Sequence, residues 1–288
     1  MIKQYFSIKE QNSLNYNFYF VRITQDKPKD DCLIDELQKN LLRGYRDPNY
    51  LQRKRRNLDK KGLENYIQKK VIPNKKNNFD LAVQYGDFGE MFASSVIEFI
   101  NSKITFHKLR WKYNSDKSVF GTDIVAFDSM DNPTEVTYYE VKTRENALKK
   151  EIIQKGNKKK NIPELKEFVT IVAYKSLEKD MLSDKESLMD YMSRLFYAEK
   201  EYDKSDLFSD LVDGKRSVNR KYEIYVITDG KVMSGNYKDL LDVLNKFQKK
   251  INPLSVTFVF IDELKTLVTE TWNTIVQHGA GFIERNEL

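Results

Sequence analysis

The chain has 288 residues, with 40% hydrophobic and 12% aromatic side chains, enough to bury a sizeable core and to exclude wholesale disorder. Its single cysteine, Cys32, excludes intrachain disulfides and any cysteine-based zinc site, and suits a reducing compartment. The net charge of +6 is unevenly spread: residues 53–76 hold ten Lys or Arg against Asp59 and Glu64, residues 142–166 hold nine against Glu145, Glu151 and Glu164, and residues 180–213 hold ten acidic groups against four basic ones.

In chain order, the start MIKQYFSIKEQ lacks the basic and apolar regions of a signal peptide, and no apolar run reaches the roughly 18 residues of a membrane span. A cytoplasmic protein with no membrane partner is expected. NYNFYFVRIT reads as a strand stopped by DKPKDD, and Cys32 to Leu42 as a helix closed by Gly44. The basic stretch from Tyr50 to Asn78 reads as loop or exposed helix broken by Pro73. Its charge fits the salt-dependent affinity of a nucleic-acid binder, or else a solvated surface.

FDLAVQYGDFGEMFASSVIEFINSK follows, with Leu81, Tyr85, Phe88, Phe92, Val96, Phe99 and Ile100 at helical spacing. Glu90 lies in the middle of that helix, where a carboxylate is usually solvated. FGTDIVAF and TYYEVKTR then alternate around the turn-rich SMDNPTE, which is the pattern of a β-hairpin. The hairpin sets Asp123 beside Glu140 and Lys142. Residues two apart on a strand share a face, so Glu140 and Lys142 project together while Val141 points away.

E-x-K alone is weak, since it occurs at Glu140–Lys142, Glu164–Lys166 and Glu263–Lys265. Only the first lies inside a β-branched and aromatic run with an Asp one strand earlier, where a charge needs a partner. Two carboxylates and an ammonium group suit a Mg2+ or Mn2+ site that hydrolyses phosphodiesters: the hard cation takes Asp123 and Glu140 oxygens, and Lys142 orients or deprotonates a water. The two histidines, His107 and His278, are too few for a zinc site.

Beyond the hairpin, Asn161 and Pro163 open a helix through Leu165, Phe168, Val169 and Val172, although VTIVAY is also compatible with a strand. SDKESLMDYMSRLFYAEKEY reads as an amphipathic helix, followed by an acidic segment that would repel DNA and could face a basic partner. KYEIYVITD and SVTFVFI read as strands, YKDLLDVLNKFQKK as a helix, and DELKTLVTETWNTIV as a closing helix with Asp262 as N-cap. Alternating strands and helices indicate an α/β sheet. No Walker sequence is present, so any ATP-driven work would belong to a partner.

Glu90, the GTD that ends in Asp123, and the EVK of Glu140 and Lys142 together resemble the PD-(D/E)xK nuclease superfamily. More narrowly, GEMFASSVIEFI followed by GTDIVAF and YYEVKTR is similar to the nuclease subunit of the Hachiman antiphage defence system of bacteria. The resemblance is centred on residues 79–175. It implies a restriction-endonuclease-like core (helix, three antiparallel strands, helix, strand) in a domain over residues 79–288, preceded by an N-terminal accessory region over residues 1–78. It further implies metal binding by Asp123, Glu140 and Glu90, catalysis by Lys142, DNA as substrate and a superfamily 2 helicase as partner. The sequence departs from the superfamily pattern in having Gly121 and Thr122 where a Pro-Asp pair would begin. A stand-alone restriction or repair nuclease, and a non-catalytic nucleic-acid-binding module of the same fold, are the competing expectations.

Overall fold

A computed structural model describes residues 2–12, 16–73, 78–111, 122–154, 165–182, 187–233 and 236–288. Strands β1 (Phe6–Asn12) and β2 (Tyr19–Gln25) are followed by helices α1 (Asp31–Tyr45), α2 (Pro48–Arg55) and α3 (Lys60–Tyr66), then by the long α4 (Asn78–Asn101). Next come β3 (Ile104–His107), β4 (Ile124–Phe127), β5 (Glu135–Arg144), β6 (Glu151–Gln154), β7 (Leu165–Glu167) and α5 (Val169–Leu182). The chain closes through α6 (Ser187–Ala198), α7 (Tyr202–Val212), β8 (Asn219–Asp229), the single turn α8 (Gly230–Met233), α9 (Tyr237–Lys246), β9 (Leu254–Ile261) and α10 (Leu264–Arg285).

Among the described residues, seven strands form one mixed sheet in the order β1-β2-β9-β8-β5-β4-β3. The β1–β2, β5–β4 and β4–β3 pairs are antiparallel, and the central β2–β9, β9–β8 and β8–β5 pairs are parallel. The central strands bury apolar runs on both faces, such as Ile224–Ile227 of β8 and Phe258–Ile261 of β9, as strands covered on both sides do. On one face α1, α3, α4 and α10 bury Leu41, Phe92, Trp272 and Ile275 with Tyr139, Val141 and Tyr225. The other face is covered by α5, α6, α7 and α9, burying Tyr174, Met192, Phe208 and Leu241 with Val125, Val226 and Phe258. The result is a three-layer α/β architecture. Residues 1–78 add β1 and β2 to the same sheet through β2 and β9.

Several expectations change. FSIKEQN is a strand that hydropathy alone does not reveal: β1 is a half-exposed edge strand with a register shift between Ile8 and Glu10, and charge and irregularity there discourage pairing with other chains. Helix α1 does not stop before Gly44. It runs through Tyr45, with Gly44 inside its last turn against the Met91 side chain of α4, which a Cβ there would have to displace; this glycine faces a packed neighbour and does not terminate the helix. Leu165–Glu167 is a strand paired with β6, and the helix expected from Asn161 begins only at Val169; Asn161 and Pro163 lie outside the described residues. VTIVAY is helical in spite of its β-branched residues because burial of Val169, Ile171, Ala173 and Tyr174 decides its state. The acidic stretch after α6 is itself helical, as α7, and Phe196 stacks on Phe208 at 5.4 Å.

Asp262 does not cap α10. The N-cap position is Glu263, in a left-handed conformation with no side-chain cap bond, and the Leu264 N–H donates instead to Asp229 Oδ2 at 2.9 Å. The other Asp229 oxygen accepts from the Lys231 N–H at 2.9 Å. One buried carboxylate at the end of β8 thus starts two helices. Asp229→Ala should cost about 1–2 kcal/mol in denaturant unfolding, and Asp262→Ala less than about 0.5 kcal/mol; equal losses would contradict this assignment.

Candidate active site

The hairpin register builds the site. Ile124 pairs with Tyr139 across β4–β5, and His107 pairs with Ile124 across β3–β4. One residue further, the Asp123 N–H donates to the Tyr139 carbonyl at 3.2 Å and the Lys108 N–H donates to the Asp123 carbonyl at 3.2 Å. Lys108, Asp123 and Glu140 therefore form a single row across the sheet, with Lys108 just after β3, Asp123 just before β4 and Glu140 in the middle of β5. Directly opposed residues of antiparallel strands share a face, so the register gathers these side chains although Lys108 and Asp123 stand just beyond their strands.

Each side chain in the row is held. Asp123 Oδ2 accepts from the Val141 N–H at 2.7 Å, which ties the carboxylate to the stretch between Glu140 and Lys142. Asp123 Oδ1 is ion-paired with Lys108 Nζ, and Glu90 Oε1 reaches the same ammonium group at 3.5 Å. Lys142 Nζ donates to Glu140 Oε1 at 2.5 Å. Glu140 Oε2 is buried without a hydrogen-bond partner among the described residues. Asp123, Glu140 and Glu90 are 4%, 2% and 7% exposed, so Glu90 is a buried member of the cluster and not a solvated helical carboxylate.

Glu90 reaches the cluster because its neighbour is glycine. A Cβ at Gly89 would run into Thr143 Oγ1 of β5, so α4 can lie this close to the strand only without a side chain there. Gly89→Ala should destabilise the protein by about 1–3 kcal/mol, the cost of overpacking, and Thr143→Ala in the same chain should recover most of that loss. A neutral Gly89→Ala in thermal and denaturant unfolding would contradict the close approach.

Electrostatics follow from burial. Burial, and then the charge of Asp123, pushes the Glu140 carboxyl up to about 7, with Lys142 and Lys108 opposing. For Lys142 burial alone would favour the neutral amine, yet Glu140 and Asp123 outweigh it and the ammonium form is strengthened. The same balance, with Asp123 and Glu90 as the partners, holds Lys108 firmly protonated. Asp180 of α5 is raised by burial and by the Asp123 charge, so it borders the site as well.

All four residues expected from sequence, Glu90, Asp123, Glu140 and Lys142, thus lie in one cluster. Lys108 and Asp180 were not foreseen. Lys108 follows an unremarkable ITFH segment, and only the strand register reveals that it opposes Asp123. Among the described residues no three His, Cys, Asp or Glu side chains are arranged as a ready metal cage. Of the basic runs, Arg53, Arg55 and Arg56 are exposed on and just after α2, whereas Lys158, Lys159 and Lys160 lie outside the described residues. No helix among the described residues is long and apolar enough to cross a membrane.

The architecture and cluster define an α/β protein with a buried carboxylate–ammonium site built on three neighbouring antiparallel strands. A family model described as HamA matches residues 2–272, and the chain belongs to that family, the family of the Hachiman antiphage system protein. Its membership points to antiphage defence. Comparison with curated proteins found no match.

Proposed function

We propose that this protein is a Mg2+-dependent DNA nuclease that acts with a helicase partner in Hachiman defence. The observation that carries the reading is the buried row of Asp123 and Glu140 with Lys142 beside it. A carboxyl pair of this kind is costly to bury for structural reasons alone, and a buried carboxyl pushed up beside a specific charged partner, as Glu140 is, marks a functional site. The element order supports a restriction-endonuclease-like core of the PD-(D/E)xK type: α4, the antiparallel β3, β4 and β5, then α5 and the parallel β8.

The donor set fits a hard divalent cation. Asp123, Glu140 and Glu90 offer carboxylate oxygens, and the buried Glu140 Oε2, without a hydrogen-bond partner among the described residues, is the kind of atom a cation would satisfy. When bound, Mg2+ would polarise the scissile phosphate and acidify a water. Lys142, held as an ammonium, would orient that water through its N–H groups and neutralise charge that develops on the phosphate. The exposed arginines of α2 would hold the DNA backbone at some distance from the chemistry.

Because these groups are buried and paired, truncation to alanine would leave an uncompensated charge and cost about 3–5 kcal/mol. Near-isosteric changes separate chemistry from folding. Asp123→Asn, Glu140→Gln and Lys142→Met should each lower Mg2+-dependent plasmid cleavage by about two to three orders of magnitude, while circular dichroism shows a folded chain; EDTA should abolish wild-type cleavage. Wild-type rates from folded Lys142→Met would instead favour a non-catalytic nucleic-acid-binding module.

A further inference from the structure

Of the two Asp123 oxygens, Oδ2 is committed to the Val141 N–H at 2.7 Å. Only Oδ1 is left to face a ligand, and Lys108 Nζ is bound to it while lying 3.5 Å from Glu90 Oε1. The Lys108 side chain is 11% exposed, so its charge sits inside the cluster. Lys142 serves the third carboxylate, Glu140, at 2.5 Å. We infer that Lys108 is a built-in counter-cation occupying the place between Asp123 and Glu90 that a divalent ion needs, so that metal enters only by displacing its ammonium group.

The inference rests on the metal-dependent reading above and adds how that site is regulated. A dication and an ammonium group compete for the same oxygens, because their repulsion in a buried site is large. With Lys108 in place the three carboxylates face two ammonium groups; with Lys108 expelled, a dication and Lys142 together neutralise them. Release requires no backbone change. The Lys108 N–H is tied to the Asp123 carbonyl at 3.2 Å, which extends the ladder ending at the His107–Ile124 pair, while the four-carbon stem turns by rotamer changes alone. The resting protein is therefore latent: any event that draws Lys108 outward, such as a passing DNA phosphate competing for its ammonium group, would open the site to metal.

A purely structural ion pair predicts the opposite mutational sign. If Lys108 merely gathers the carboxylates, removing its charge scatters them and weakens metal binding; if it competes with metal, removing its charge strengthens binding. Mn2+ binding to the purified full chain, measured by calorimetry and by the electron paramagnetic resonance of free Mn2+, should become at least about tenfold tighter in Lys108→Met, with Lys108→Arg no tighter than wild type. Equal or weaker binding by a folded Lys108→Met would overturn the inference while leaving the metal reading intact. Absence of Mn2+ binding in both wild type and variant would overturn the metal reading and this inference together. Should Lys108→Met not fold, the wild-type chain supplies the decision: acylation of Lys108 by an amine-reactive ester, followed by peptide mass spectrometry, should rise several-fold on Mn2+ saturation. Unchanged or reduced labelling with Mn2+ bound would show that Lys108 stays in place.

Discussion

The register of β3, β4 and β5 is the constraint on which the site depends. Because side chains alternate with a period of two, a slip of one residue between β4 and β5 would turn Glu140 and Lys142 away from Asp123 into the core beneath α4 and move Val141 and Tyr139 to the opposite face. That slip is opposed on both faces. Tyr139 and Val141 belong to the core beneath α4, and Val125, Val136 and Tyr138 to the core beneath α5. Hydrophobic burial thereby fixes the position of charged groups it never touches, and the Val141 N–H, donated to Asp123, locks the last step.

Burial also sets the chemical character of the cluster. In water Asp123, Glu140 and Glu90 would repel weakly; held within the protein they require compensating charge, and Lys108 and Lys142 supply it. The close approach of α4 to β5 at Gly89 and Thr143 brings the third carboxylate in from a different layer of the fold. A site assembled from a helix and three paired strands has its groups placed by the sheet register, which suits chemistry that depends on placement.

The strands β4, β5, β8 and β9 and the helix α4 were legible because their patterns are strong: continuous apolar runs for buried strands, and helical spacing around Phe88, Phe92 and Val96. Glu140 and Lys142 stood out as charges inside such a run. Edge strand β1 was hidden because its exposed face is charged, and Gly44 misled because glycine both ends helices and lets them touch, two uses that look alike in sequence. Asp229 replaced Asp262 as the cap of α10 because capping here comes from a residue more than thirty positions earlier. Lys108 was invisible for the same reason: its meaning lies in register, and register is a property of paired strands that no single segment displays.

The central claim is that Asp123, Glu140 and Glu90 hold a divalent cation in the place that the Lys108 ammonium group takes between Asp123 and Glu90. Anomalous diffraction from crystals equilibrated with Mn2+ tests it most directly. The account predicts a peak within roughly 2.0–2.3 Å of Asp123 Oδ1 and a Glu140 oxygen, near the distances of hard-cation carboxylate sites, with Lys108 Nζ moved off Asp123. A well-ordered cluster with Lys108 still paired to Asp123 and no anomalous peak at saturating Mn2+ would contradict it.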